Sequence, residues 1–229
     1  MSVFAMSDTH LSLSANKSME VFAGWQNYVE RIERNWRAIV SDEDVVVMPG
    51  DISWAMHLCD TFEDFSFINS LPGKKIILKG NHDLWWQSIS KMNAYLADNK
   101  FDTISFLHNS CYNEQGLCIT GSRGWLTEPG SEHDEKIIAR EAGRLRLSLD
   151  AARSVGNADP TVFLHYPPVV HGAVCDEILD VIREYGVKQV YYGHIHRGSY
   201  FKAFNGVYDG IHFRCVSADM VDFTPVKII

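Results

Sequence analysis

Basic charge is scarce in this sequence. Its 229 residues carry 21 lysines and arginines against 29 acids, a net charge of -8, and no stretch is densely basic. Proteins that hold nucleic acid through its phosphates normally show the opposite sign, so nucleic acid is not an expected partner. Long apolar runs are missing too. The longest segment without Asp, Glu, Lys or Arg is Pro160 to Cys175, 16 residues with three prolines and two histidines. It falls short of the roughly 20 apolar residues that span a bilayer, and no membrane association is expected. The opening MSVFAMSDTH has no basic region followed by an apolar stretch, so no secretory signal is predicted. The five cysteines are an odd number without a CxxC pair, which predicts reduced, mostly buried thiols and a cytoplasmic location. GxSxG, P-loop and dinucleotide fingerprints are absent, as are repeats and low-complexity tracts.

Composition is that of a globular chain, with 46% hydrophobic and 22% charged residues. The length predicts one domain over residues 1–229, burying roughly 70% of its unfolded surface. Short apolar runs alternate with helical patterns. Strands are predicted at Val3 to Met6, Val45 to Met48, Lys75 to Leu78, Thr103 to Leu107, Cys111 to Asn113, Leu117 to Thr120, Thr161 to Leu164 and Lys188 to Tyr192. Helices are predicted at Glu20 to Val40, Phe62 to Ser70, Leu84 to Ala97, His133 to Ala152 (rich in Arg and Glu, read as a solvated face) and Val174 to Tyr185. Past Tyr200, the turn signals Asn205-Gly206 and Asp209-Gly210 predict a β-meander. The class is α+β, with mixed sheets and helices outside.

Five polar clusters each follow directly on an apolar β-run. They are Asp8-Thr9-His10, Gly50-Asp51, Gly80-Asn81-His82-Asp83, His165, and Gly193-His194-Ile195-His196. Ligands bind outside the carboxyl ends of strands in open α/β sheets, so five strands bring Asp, Asn and His to one rim. Carboxylate, amide oxygen and imidazole without thiolate suit Mn, Fe, Zn, Co or Ni. Asp8, His10, Asp51, Asn81, His165, His194 and His196 are too many ligands for one ion and about right for two that share a carboxylate. Metal pairs roughly 3.5–4 Å apart serve in-line attack on phosphorus.

Taken together, these clusters resemble the calcineurin-like metallophosphoesterase superfamily in order and spacing, from residue 8 to 196. The resemblance implies a four-layer α/β/β/α sandwich and a dinuclear metal-dependent phosphohydrolase. Asp8, His10 and His196 would hold the first divalent ion, with Asp51 bridging. Asn81, His165 and His194 would hold the second. His82 would be the non-ligand histidine that protonates the leaving oxygen after attack by a metal-bridging hydroxide. Two divalent ions outweigh Asp8, Asp51 and a hydroxide, so the site is positive inside an acidic protein and favours a small phosphate ester over a long polyanion.

One departure stands out. Many members, the Ser/Thr protein phosphatases among them, continue the second motif with an Asp-Arg pair, where this chain has Gly50-Asp51-Ile52-Ser53-Trp54. A protein-phosphatase assignment is therefore not supported. Asp83 does not obviously replace the missing Asp, because successive side chains of an extended segment point opposite ways. Arg123, between Gly121 and Gly124, and Arg197, just after His196, are the candidate phosphate-binding residues. Trp54, Trp85 and Trp86 are read as packing residues, and His57, His108, His133, His171 and His212 as non-ligands. A phosphodiesterase or nucleotide hydrolase would share these motifs. A catalytically silent binding module of this fold, like a retromer subunit of the superfamily, would be expected to have lost some of them.

Overall fold

Runs of Val, Ile, Leu and Phe too short for helices, yet apolar on both faces, form strands buried from both sides. The computed structural model describes residues 1–15, 17–125, 132–156 and 159–229, with residues 132 and 133 in backbone only. The first part runs β1 (Val3–Ala5), α1 (Tyr28–Ile39), β2 (Val45–Pro49), α2 (Phe62–Ser70), β3 (Lys74–Leu78), α3 (Ile89–Asp98) and β4 (Ile104–Phe106). The second runs β5 (Tyr112–Glu114), β6 (Leu117–Ser122), α4 (Glu132–Ser154), β7 (Pro160–Leu164), β8 (Val169–Val170), β9 (Ala173–Val174), α5 (Asp176–Glu184), β10 (Gln189–Tyr192), β11 (Gly206–Tyr208), β12 (Ile211–Cys215) and β13 (Val226–Lys227).

The strands make two large sheets, ordered β13-β1-β2-β3-β4 and β11-β12-β10-β7-β6-β5. Each is parallel in its middle, with β13, β11 and β5 added antiparallel. Strand alternation sends successive side chains to opposite faces. On the first sheet Phe4, Val46 and Ile77 meet Ile32 and Trp36 of α1, Phe65 of α2 and Met92 of α3. Their neighbours Val3, Ala5, Val45, Val47, Ile76 and Leu78 face the other sheet and meet Ile119, Phe163, Tyr191 and Val216. Val162, Leu164, Val190 and Tyr192 of the second sheet turn outward onto Leu145 and Leu149 of α4 and Ile178 and Ile182 of α5. Three apolar interfaces separate four layers, the expected α/β/β/α sandwich. Each fully buried aliphatic side chain contributes roughly 1.5–3 kcal/mol.

The sheets join just beyond β1, where Ser7 N–H donates to the Val216 carbonyl (2.9 Å) and Ala218 N–H to the Ser7 carbonyl (2.9 Å). This joint holds the carboxyl ends of both sheets on one rim.

Four expectations need correction. The first helix starts at Tyr28, not Glu20: Gly24 (φ +89°) and Asn27 (φ 50°) take left-handed conformations that break it, and Met19–Val21 is a separate 3-10 turn with Val21 80% exposed. The third starts at Ile89, because the His82 and Asp83 carbonyls turn the chain by accepting from Leu84 and Trp86 N–H. The meander reduces to one hairpin. Asp209 (φ 53°) and Gly210 (φ 74°) form its turn, whereas Asn205 is held by accepting at Oδ1 from Cys215 N–H (2.8 Å). α4 is solvated on one face only: Glu135, Lys136 and Arg140 are exposed, but Ile138, Leu145 and Leu149 are in the core, and Glu141 is fully buried.

The five cysteines are thiols, with Cys118, Cys175 and Cys215 buried. Among the described residues no helix is long and apolar enough to cross a membrane.

Candidate metal centre

β1, β2, β3, β7 and β10 end on the shared rim, and the five polar clusters stand there. Four of their non-glycine residues adopt positive φ: Asp8 (57°), His10 (44°), Asp51 (54°) and His194 (68°). Such conformations cost of order 1–3 kcal/mol each and persist where the surroundings over-determine them. Here Asp8 N–H donates to the Gly50 carbonyl (2.9 Å) and His10 N–H to the Asp51 carbonyl (3.0 Å). His194 N–H reaches the Asp8 carboxylate at 3.0–3.1 Å. Gly80 and Gly193 let the backbones close in, since a Cβ at Gly80 would overlap the Asp51 carboxylate and one at Gly193 the Asp8 carboxylate.

Asp83 fastens the β2 and β3 loops together. Its carboxylate accepts from the backbone N–H of Asp51 (2.9 Å), Ile52 (2.9 Å) and Gly80 (2.7 Å), and from Trp85 Nε1 (3.1 Å). It anchors backbone and makes no hydrogen bond to the His82 ring among those the structure shows.

The side chains converge into two groups. Asp8, His10 and His196 form one, and Asp51, His165 and His194 the other, the ligand atoms of each lying within 4.8 Å of one another. His10 Nε2 and His196 Nε2 are 3.2 Å apart. In the second group Asn81 Oδ1 is 2.7 Å from His165 Nε2 and 3.1 Å from His194 Nδ1. Asp51 stands between the groups: its Oδ2 is 3.7 Å from His10 Nε2 and 3.4 Å from His165 Nε2. Asp8, His10, Asp51 and His165 are buried.

The electrostatics suit cations. Among the described residues no lysine or arginine forms an ion pair with Asp8 or Asp51. Burial raises the Asp8 carboxyl and pushes Asp51 up to about 7. Burial lowers His165 to about 4 and His194 to about 3, and His10 well below its ordinary value. Neutral imidazoles, an amide oxygen and carboxylates without a lysine or arginine partner are the donor set that divalent transition metals take. At His196 burial again works against the charge, but the Asp219 hydrogen bond and the Asp8, Asp219 and Asp51 charges outweigh it, giving about 9.

The second layer of contacts was missed by sequence reasoning in part. His165 Nδ1 lies 3.0 Å from the Pro49 carbonyl, leaving Nε2 to face the site. Asp219 accepts from His196 Nδ1 (3.1 Å) and from Arg197 N–H (2.8 Å). It comes four residues after β12, whose Ile211-His212-Phe213-Arg214-Cys215 alternates apolar and polar side chains, so the rule that found the other clusters did not reach it. Lys17 was also unforeseen. Its ammonium lies 4.6 Å from the centroid of the Trp54 ring, and Trp54 stacks on His10 (5.0 Å) and against His82 (4.4 Å). Trp54 therefore walls the site, whereas Trp85 is in the core.

His82 N–H donates to Asp51 Oδ1 (2.7 Å), and its half-buried ring lies against both Trp54 and His10. Burial, then the charges of His165, His196 and Lys17, lower its pKa. The two candidate arginines point elsewhere. Arg123 Nη2 is 3.4 Å from Glu141 Oε1, and Arg197 Nη2 is 2.6 Å from Asp222 Oδ1. His57, His108, His171 and His212 belong to neither ligand group; the His133 side chain lies outside the described residues.

Comparison with known proteins agrees with this geometry. A family profile described as calcineurin-like phosphoesterase matches residues 1–198. No curated protein matches the chain. Among solved structures, a protein of unknown function, AQ665, from Aquifex aeolicus is 18% identical with a TM-score of 0.53, the match covering 99% of this chain and 95% of that one. A phosphopantetheinyl hydrolase (PptH) from Mycobacterium tuberculosis is 16% identical with a TM-score of 0.55, covering 100% and 95%. A third protein, TT1561 of Thermus thermophilus, is 14% identical with a TM-score of 0.55, covering 84% and 80%. At these identities the structures share the fold.

Proposed function

The chain belongs to the calcineurin-like phosphoesterase family and is a phosphoester-hydrolysing enzyme; from that premise we propose that it hydrolyses a small phosphate ester at a two-metal centre. Asp8, His10 and His196 would hold one divalent ion and Asn81, His165 and His194 the other, with Asp51 shared. When bound, such ions supply Lewis acidity toward phosphate oxygens and lower the pKa of a water. The observation that carries this reading is the position of Asp51 Oδ2, within 3.7 Å of an imidazole nitrogen of each group.

The chain's own residues do the rest. Asp219 orients His196 through Nδ1 and leaves Nε2 toward the first group, as carboxylate–histidine pairs do at metal sites. The Pro49 carbonyl does the same for His165. Asp83 keeps the loops bearing Asp51 and Asn81 in register. His82 stands at the mouth and donates a proton to the leaving oxygen. Lys17, over Trp54, brings positive charge to an entrance that lacks the Asp-Arg pair. Arg123 serves substrate binding from one side, and Arg197, engaged by Asp222, has no role in this reading. The second known-fold reading, a silent binding module, is disfavoured by the complete ligand set.

The test is metal content together with Asp51→Asn. Protein prepared with ample Mn, Fe or Zn is expected to hold close to two ions per chain and to hydrolyse phosphate esters. Asp51→Asn should abolish turnover and weaken both ions, more than His10→Ala does. Metal content near zero after reconstitution, or an Asp51→Asn enzyme that keeps most of its activity at saturating metal, would overturn the proposal.

A further inference from the structure

Beside the metal centre lies a pocket of about 260 Å³, several times the roughly 30 Å³ share of a water molecule. It opens where β3 and β6 end, under α4. Lys79, His108, Arg123, Glu141 and Arg144 contribute its polar wall. The charge there runs against the acidic character of the whole molecule: two guanidinium groups and the Lys79 amine, whose pKa burial and Arg123 lower, face one carboxylate. That carboxylate is committed. Glu141 is fully buried, and its Oε1 is 2.7 Å from Arg144 Nη1, 3.4 Å from Arg123 Nη2 and 3.7 Å from Arg140 Nε. Its role is to hold guanidinium groups in place, which leaves the pocket with excess positive charge.

Two further observations point to a ligand. Among the described residues, Arg123 Nε and Glu141 Oε2 are buried and have no hydrogen-bond partner. Buried donors are satisfied in nearly all native sites, so Arg123 Nε offers an anion an unused donor, whereas the Glu141 oxygen, an acceptor, does not serve one. Lys79 is half-buried, and no ion pair joins it to an acid among the described residues. None of the proposed ligands lines the pocket, but its walls adjoin the proposed centre along the chain. Lys79 immediately precedes Gly80-Asn81, and the Arg123 carbonyl accepts from the N–H groups of His165 (3.2 Å) and Tyr166 (2.8 Å).

We propose that this pocket is a subsite for a second anionic group of the substrate, gripped by Lys79, Arg123 and Arg144, so that the preferred substrates are phosphate esters carrying a further phosphate or carboxylate. The inference rests on the phosphohydrolase reading above and narrows its substrate class. It also accounts for Arg123: the residue binds substrate at a distance from the scissile phosphate, not on it.

The experiment compares butyl phosphate, the bisphosphates of propanediol, butanediol and pentanediol, and phosphobutyrate on the metal-loaded enzyme. At the best spacer, the doubly anionic esters should exceed butyl phosphate in kcat/KM by about tenfold or more, the worth of one or two charge-assisted hydrogen bonds. A preference for bisphosphate alone identifies the second group as phosphate; an equal gain with phosphobutyrate admits carboxylate. Lys79→Met, which breaks no ion pair, and Arg144→Gln, which leaves Glu141 two arginines, should each shrink that preference by about tenfold. Calorimetry with butane bisphosphonate against butylphosphonate supplies a readout independent of turnover, and the tighter binding of the bisphosphonate should depend on Lys79. Equal kcat/KM for singly and doubly anionic esters, or a preference that survives both variants, would overturn the subsite. Hydrolysis of none of these esters would instead strike the phosphohydrolase reading, and the bisphosphonate comparison would still decide the subsite.

Discussion

His82 is the residue on which the chemistry turns at the smallest scale. Its backbone is tied to Asp51, but its ring faces Trp54 and the mouth and belongs to neither ligand group. A ring so placed can protonate a leaving oxygen, a service worth about 10²–10⁴ in rate. The benefit depends on what leaves. An alkoxide needs the proton, and a nitrophenolate is stable without it. His82→Ala is expected to keep both metals and to lose far more rate on an alkyl phosphate than on p-nitrophenyl phosphate when chemistry limits both. Equal losses would place His82 in phosphate binding, and loss of a metal would place it among the ligands. The motif residues were legible because each follows an apolar strand and belongs to a chemically unusual group. Lys17 was not legible. It is brought over Trp54 by a segment without regular periodicity, and only the folded chain shows what it faces.

At the scale of elements, the eight strands predicted one by one fall within two residues of those observed because short apolar runs are local signals, whereas the two-residue strands β8, β9 and β13 were not predicted. Helix starts were read poorly because they depend on where loops are held. Trp25 keeps helical spacing with Trp36, yet it leaves α1 to pack against Phe223 (5.0 Å) and His196 (5.8 Å). The segment after His82 is turned by the Asp83 staple before α3 can begin. β3 holds one residue that the strand pattern does not explain. Lys75 is fully buried, with Nζ donating to the Leu71 (2.6 Å) and Gly73 (2.7 Å) carbonyls, and burial lowers its pKa from 10.5 to about 7. The unfolded chain keeps this proton until pH is near 10, whereas the folded chain gives it up near 7. Between those values the unfolded state binds more protons, so stability rises with pH, by up to about 1.4 kcal/mol per unit from this residue. Below pH 7 both states hold the proton and the contribution is flat. Urea unfolding of chelator-treated protein between pH 7 and 9 should therefore show a more positive slope for the native sequence than for Lys75→Met. Equal slopes would mean that the two carbonyls keep Lys75 charged in the fold.

At the scale of the whole molecule, each proposed ion would tie the two sheets together. Asp8 and His10 stand at the end of β1 and His196 beyond β10; Asp51 stands at the end of β2 and His165 and His194 beyond β7 and β10. Neither ligand group is complete within one sheet, so the metal geometry exists only when the inter-sheet core around Val47, Leu78 and Phe163 has formed. Binding at such a centre is coupled to the cohesion of all four layers. An ion that binds only the folded state, held at about 100 times its dissociation constant, stabilises by about 2.7 kcal/mol. For a chain of this length that is a rise in Tm of roughly 5–10 °C. Calorimetric scans of reconstituted and chelator-treated protein should differ by about that amount for each tightly held ion. His196→Ala, which removes the only described ligand of the first group from the second sheet, should reduce the gain, and a conservative change at the remote surface residue Arg183 should not. Protein that binds metal yet melts at the same temperature with and without it would show that the ions sit where the unfolded chain holds them equally well, and not across the joint between the sheets.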